Sequence, residues 1–248
     1  MSGPSNRVPH IIVSYWVIKI ASTTLGETGA DMFSMGLDLG YATTIAMFLV
    51  VFLVLLAVKL ARPRYDPVSY WTLFTSTAIL GTAISDFVDR TLGLGYAAGS
   101  ALLVALLVVT LAIWRLVEGS VSVERIEDRR GELFYWAAFL IANTLGTAAG
   151  DFISDDLGIG FLYSAVLISG VLVLLALAYY FTRVNRVLLF WLAFVLTRPF
   201  GATFGDLLTK SPEKGGLGLG TFWTSLFFAV AMAVALVREA RAERRRAG

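Results

Sequence analysis

Four aspartates recur in this chain at one fixed place in a repeated pattern. Trp16, Trp71, Trp136 and Trp191 are each followed ten residues later by a glycine (Gly26, Gly81, Gly146, Gly201) and five residues after that by an aspartate (Asp31, Asp86, Asp151, Asp206). Each aspartate closes a long apolar stretch. A carboxylate so placed is both a hard oxygen ligand for a cation and a group that takes up and releases a proton. It costs about 2.5–3.5 kcal/mol at the centre of an inserted span and less near an interface. A lone aspartate there reads equally well as a helix cap. Four at matched positions point instead to a shared polar pathway.

Departures from the repeat mark further chemistry. Lys19 stands where the other units have Phe74, Phe139 and Phe194, and Glu27 where they have Thr82, Thr147 and Ala202. Lys19, Thr23, Glu27 and Asp31 step by four along one helix face, where neighbours can touch. Such a stripe could bind a cation, relay protons or form an internal ion pair. Arg198 aligns with Thr23, Ala78 and Asn143, and Pro199 follows it. Arg198 is expected to offset part of the carboxylate charge, or else to bind an anionic substrate. The candidate pathway is therefore Lys19, Glu27, Asp31, Asp86, Asp151, Arg198 and Asp206. The candidate metal ligands are Glu27, Asp31, Asp86, Asp151 and Asp206.

With no cysteine and His10 as the single histidine, thiolate and multi-histidine metal sites are excluded. Oxygen ligation suits Mg, Ca or Mn better than Cu or Zn. There is no GxSxG, no HExxH and no phosphate loop. An enzyme is not expected, nor any resident cofactor beyond a bound cation.

The elements that carry these residues are membrane helices. Of 248 residues 57% are hydrophobic and 15% charged, and the charges cluster between apolar runs, so one integral membrane domain over 1–248 is expected. Eight runs reach the length of a span, near 11–32, 41–60, 68–88, 96–117, 133–153, 161–182, 187–208 and 219–237. The first is not expected to be a cleaved signal peptide, because no small-residue cleavage site follows it. Intervals of 55, 65 and 55 residues between the tryptophans define four two-span repeats, roughly 11–62, 66–117, 131–182 and 186–238, ahead of a basic tail at 239–248. A two-span unit returns to its starting side, so all four repeats share one orientation. The fold class is all-α, eight transmembrane helices in four same-orientation pairs.

Small residues four apart, Gly26/Ala30, Gly81/Ser85, Gly146/Gly150 and Gly201/Gly205, let backbones approach closely in lipid. They predict that the odd helices pack together, with hydroxyl-rich faces inside and the Leu/Val-rich even helices outside. Each repeat turns between its helices at a glycine: Gly40, Gly95, Gly160 or Gly220. The tryptophans are expected at the cytoplasmic headgroup boundary.

Loop charge sets the orientation. One side carries Arg7, Lys59, Arg62, Arg64, Arg115, Arg125, Arg129, Arg130, Arg183, Arg186, Arg238, Arg241, Arg244, Arg245 and Arg246. The other carries only Arg90, Lys210 and Lys214, with the acids Asp38, Asp89, Asp155, Asp156 and Glu213. Both termini are then cytoplasmic in a bacterial inner membrane, with the arginine tail against anionic lipid. The expected partners are the bilayer and a small ion or solute, not nucleic acid; self-association is left open.

The W-x9-G-x4-D unit in a two-span repeat resembles a family of bacterial membrane proteins described as a repeat of unknown function, with four tandem copies and a tryptophan in each. That resemblance implies the eight-helix repeat architecture and supplies no substrate. The residues themselves favour a secondary transporter of a small cation, a divalent metal such as manganese, coupled to protons. The alternatives are a transporter of a small anionic or organic solute using Lys19 and Arg198, and a non-transporting membrane scaffold.

Overall fold

The computed structural model describes residues 6–121 and 126–247, the side chains of 244–247 excepted; Arg125 and the side chains of Arg244, Arg245 and Arg246 lie outside the described residues. Eight long helices follow one another: α1 (Val13–Asp31), α2 (Gly40–Ala61), α3 (Pro67–Asp86), α4 (Tyr96–Glu118), α5 (Arg129–Asp151), α6 (Phe161–Phe181), α7 (Arg186–Thr209) and α8 (Thr221–Ala247). No strand occurs among the described residues. The last helix runs past the expected end of its span, through Arg238 and Arg241.

Local sequence accounts for the helix ends. Asp66 accepts the Ser69 N–H at 2.8 Å, Asp128 the Gly131 N–H at 3.0 Å and Asn185 the Val187 N–H at 2.9 Å, so α3, α5 and α7 each begin on a side-chain cap. Just before α4, α6 and α8, Gly95, Gly160 and Gly220 adopt φ of 78°, 78° and 79°, a left-handed region that a side chain would strain. After Asp31, Asp86 and Asp151 the α-helix widens into a five-residue π-helical turn before the chain reverses. The fourth repeat lacks it, and α7 stays α-helical through Thr209.

The odd helices form a closed inner ring: α1 packs against α3 and α7, and α5 packs against the same two. The repeat glycines set its tightness. A Cβ on Gly26 would lie 2.5 Å from Ala78 Cβ, one on Gly81 2.9 Å from the Thr144 backbone N, and one on Gly201 2.5 Å from Thr23 Oγ1. Each glycine thus admits the next odd helix at the position seven residues beyond its tryptophan, and the ring closes from α7 back to α1.

The even helices lie outside, but not beside their own repeat partners. α2 packs on α3, α4 on α5, α6 on α7, and α8 on α1. In the first three repeats the π-helical turn and its connector carry the chain one place round the ring, so that α2, α4 and α6 each lie on the odd helix that follows in sequence, while α8, the last, lies on α1.

Among the described residues, six helices are long and apolar enough to cross a membrane: α2, α4, α5, α6, α7 and α8. They expose rows of large apolar side chains, such as Leu49, Val50, Leu53 and Val54 on α2 and Leu102, Leu106 and Val109 on α4. Such surface needs a lipid environment. α1 and α3 fall short of that apolar standard. Lys19, Glu27 and Asp31 lower α1, and a run of Ser and Thr lowers α3, yet both are largely enclosed by other helices. A helix surrounded by protein meets partner side chains rather than lipid, so its polar residues are tolerated.

The tryptophans depart from the headgroup position expected of them. Trp71 and Trp136 are fully buried, Trp191 nearly so, and only Trp16 is partly exposed. They stand on the inner ring and pack with Tyr15, Tyr70, Tyr135 and Phe190 into an aromatic plug at one end of the core.

Candidate functional site

Because the odd helices share a register, residues four apart on each of them stack as layers down the core. The first layer holds Tyr15, Tyr70 and Tyr135 with Phe190, and the Tyr70 and Tyr135 hydroxyls lie 2.5 Å apart. The second holds Phe74, Phe139 and Phe194 with Lys19. The Phe139 and Phe194 ring centroids are 4.0 Å apart, and the Lys19 ammonium sits 3.9 Å from the Phe194 centroid. Lys19 donates to the Phe194 carbonyl at 2.9 Å and to Thr197 Oγ1. A cation over an aromatic face is favourable, more so when desolvated.

That placement corrects the expected stripe. Lys19 reaches across to α7 rather than along α1 to Glu27. The partner of Glu27 is Arg198, from the third layer, whose Nη2 lies 3.2 Å from Glu27 Oε2 and also donates to Thr82 Oγ1. Arg198 Nη1 reaches the Thr23 carbonyl at 3.4 Å. In the same layer Asn143 Nδ2 donates to Thr77 Oγ1 at 2.8 Å. Glu27, Thr82, Thr147 and Ala202 form the fourth layer, with Thr82 Oγ1 3.3 Å from Glu27 Oε2.

The fifth layer is the four aspartates, all buried. The structure places them at one end of the ring, where they are bridged in pairs by two basic side chains. Arg90 reaches Asp86 Oδ1 at 3.5 Å and Asp151 Oδ2 at 3.1 Å. Lys210 reaches Asp206 Oδ1 at 3.1 Å and Asp31 Oδ2 at 2.6 Å. Each cation joins the aspartate of its own repeat to that of the next. Oxygens of Glu27, Asp31 and Asp206 lie within 4.8 Å of one another, close enough to hold a metal ion. Asp86 and Asp151 fall outside that group and face Arg90 instead.

Arg90 and Lys210 read as ordinary loop charges in the sequence. The signal that marks them is their place four residues after a repeated aspartate, where the first and third units carry Met35 and Asp155. The layer of tyrosines was also legible, as the residue before each tryptophan.

A second buried charge cluster closes the opposite end of the core. Glu132, at the start of α5, accepts from Arg7 Nε at 2.5 Å, and its other oxygen lies 2.6 Å from Lys59 Nζ. All three residues are buried although the sequence assigns them to loops or helix ends. The segment carrying Arg7 is pinned there. The Arg7 N–H donates to the Ile126 carbonyl at 2.9 Å, and the Tyr65 N–H donates to the Asn6 carbonyl at 3.0 Å.

A search of curated proteins found no match, and neither did a search of solved structures. A family model does match, four times over, at residues 14–65, 69–120, 134–185 and 189–245, and each match begins two residues before a repeat tryptophan. The chain belongs to the family described as Repeat of Unknown Function (DUF347), in four tandem copies.

Proposed function

We propose that the protein is a secondary transporter of a small cation, coupled to protons, whose pathway runs between the odd helices. In this reading all eight helices span a bacterial inner membrane. The termini and the Arg7–Lys59–Glu132 cluster then lie on the cytoplasmic side and the aspartate layer on the outer side. The loop charge bias supports that orientation.

The observation that carries the reading is the gathering of five buried carboxylates, Glu27, Asp31, Asp86, Asp151 and Asp206, at one end of the inner ring. Three basic side chains, Arg90, Arg198 and Lys210, offset part of their charge in place of the fixed backbone donors of a helix cap. Side-chain charges exchange partners by rotamer changes, which a transport cycle requires. Hard oxygen donors without sulfur or imidazole suit Mg, Ca or Mn. Holding helices together takes far fewer buried acids, as the single Glu132 between Arg7 and Lys59 illustrates, which favours a pathway over a scaffold. An anionic solute is supported less, because Lys19 and Arg198 are turned to groups of the protein itself.

Reconstitution into proteoliposomes tests the proposal. Uptake of Mn2+, Ca2+ and Mg2+ should be measured under imposed pH gradients. Movement of at least one ion that reverses with the gradient is expected. Silence towards all of them, from protein that is folded and monodisperse, would remove the proposal.

A further inference from the structure

The two bridged aspartate pairs are built alike and differ in three respects. First, the Lys210 pair has a third acid. Glu27 approaches Asp31 and Asp206, whereas its counterparts elsewhere in the ring are Thr82, Thr147 and Ala202. Second, the bridging groups differ in kind. Lys210 offers a compact point charge on a flexible stem, while Arg90 is a planar fork. Arg90 is further held by the Tyr96 hydroxyl at 2.8 Å and packs 5.9 Å from the Tyr96 ring. Third, Lys210 ends α7 in extended backbone, with φ −67° and ψ 154°. It leads into a turn containing Pro212, Gly215, Gly216 and Gly218, an insertion that only the fourth repeat carries.

Charge matching gives the occupant. Among Glu27, Asp31 and Asp206, Arg198 offsets one carboxylate by its contact with Glu27. Lys210 offsets a second. Were the ammonium withdrawn, two negative charges would stand uncompensated in a buried site, which is costly. With Lys210 in place one negative charge is already left over; a monovalent ion in its stead would leave the same deficit, whereas a divalent cation neutralises the site fully. Asp31 Oδ1 is buried and accepts no hydrogen bond, so an oxygen is free beside the ammonium to join a coordination shell.

We infer that Lys210 is a tethered competitor: its ammonium occupies the divalent-cation position of the Glu27–Asp31–Asp206 half-site and leaves it when the ion binds, while Arg90 keeps the other half-site closed. The inference rests on the cation reading proposed above and deepens it. The ion enters by displacing Lys210, and the release of Lys210 couples binding to movement of the α7–α8 turn.

The test is Mn2+ titration of the purified full-length protein, followed by EPR, in wild type and in Lys210→Ala, Lys210→Met and Arg90→Ala. Lys210→Met keeps the apolar stem if the alanine variant folds poorly. Both Lys210 variants should bind Mn2+ about tenfold more tightly than wild type, the size of a typical coupling between competing ligands. Adding Glu27→Gln to either should cancel the gain, and Arg90→Ala should show none. In wild type, saturating Mn2+ should increase labelling of Lys210 by an amine-reactive reagent several-fold, read by mass spectrometry; this arm needs no variant. Mn2+ binding to wild type with no gain in the Lys210 variants and no change in labelling overturns the tethered competitor while sparing the cation reading. An equal gain in Arg90→Ala overturns the assignment to one half-site. No Mn2+ binding by any form overturns both.

Discussion

Gly146 on α5 lies directly against Arg198 on α7: a Cβ built on Gly146 would overlap Arg198 Cβ and Cγ and come within 3.1 Å of Pro199 Cδ. The glycine is what allows the largest side chain of its layer to enter the core and reach Glu27. Gly146→Ala should therefore push α5 and α7 apart and lower stability by about 1–3 kcal/mol, the usual range for overpacking. Gly170, on α6, has nothing within 4 Å of a built Cβ, so Gly170→Ala should be neutral within about 1 kcal/mol. Thermal unfolding in detergent, read by the loss of the monodisperse peak, compares the two.

The buried tryptophans make a second contrast. Trp71 is enclosed by Tyr15, Tyr70 and Phe74, with ring centroids 5.4, 5.1 and 5.4 Å away. Trp71→Ala should cost about 3–5 kcal/mol, as for a large side chain deleted from a core. Trp223, 69% exposed on α8, should tolerate the same change within about 0.5 kcal/mol. Equal effects in the same unfolding measurement would return the repeat tryptophans to a headgroup role.

At the other end of the core, Glu132 stands between Arg7 and Lys59. Glu132→Gln leaves two buried cations facing a neutral amide and should cost about 3–5 kcal/mol. Replacing Arg7, Lys59 and Glu132 together with methionine should recover most of that loss, because no charge then remains buried. Denaturation midpoints of the single and triple variants check this.

Much of the architecture was legible before any coordinates. The tryptophan period and the apolar runs located eight helices, and the small-residue pairs at Gly26, Gly81, Gly146 and Gly201 foretold the inner ring. The stripe of Lys19, Thr23, Glu27 and Asp31 was visible as a spacing of four. What escaped was the pairing of charges. Lys210 and Arg90 lie beyond the apolar runs, so hydropathy places them in loops, and only the fold turns them back onto the aspartates. Arg7, Lys59 and Glu132 were hidden in the same way. Lys19 seemed bound to the acids on its own helix, but spacing along a helix is blind to a closer partner on the next one, here Thr197. The tryptophans misled because a residue at the end of an interior helix meets other aromatics rather than lipid headgroups.

The absence of native cysteine makes the topology directly measurable. Single cysteines at Asp155 and at Arg183, on opposite sides of α6, should react with an impermeant maleimide from opposite sides of the membrane, Asp155→Cys from outside. Labelling of both from one side would contradict the eight-span arrangement and its orientation.

The most direct test of the central claim is flux through Glu27→Gln. Threonine and alanine occupy its place in the other repeats, and, unlike Glu132, Glu27 is one of three acids set against two cations, so Asp31 and Asp206 still balance Arg198 and Lys210 and the variant should fold and elute as wild type does. An amide neither releases a proton nor ligates a hard cation fully. In proteoliposomes the variant should lose about tenfold or more of the pH-driven cation flux, and what remains should no longer follow the pH gradient. Flux of wild-type magnitude with an unchanged pH profile would mean that the carboxylates hold the helices together and carry nothing.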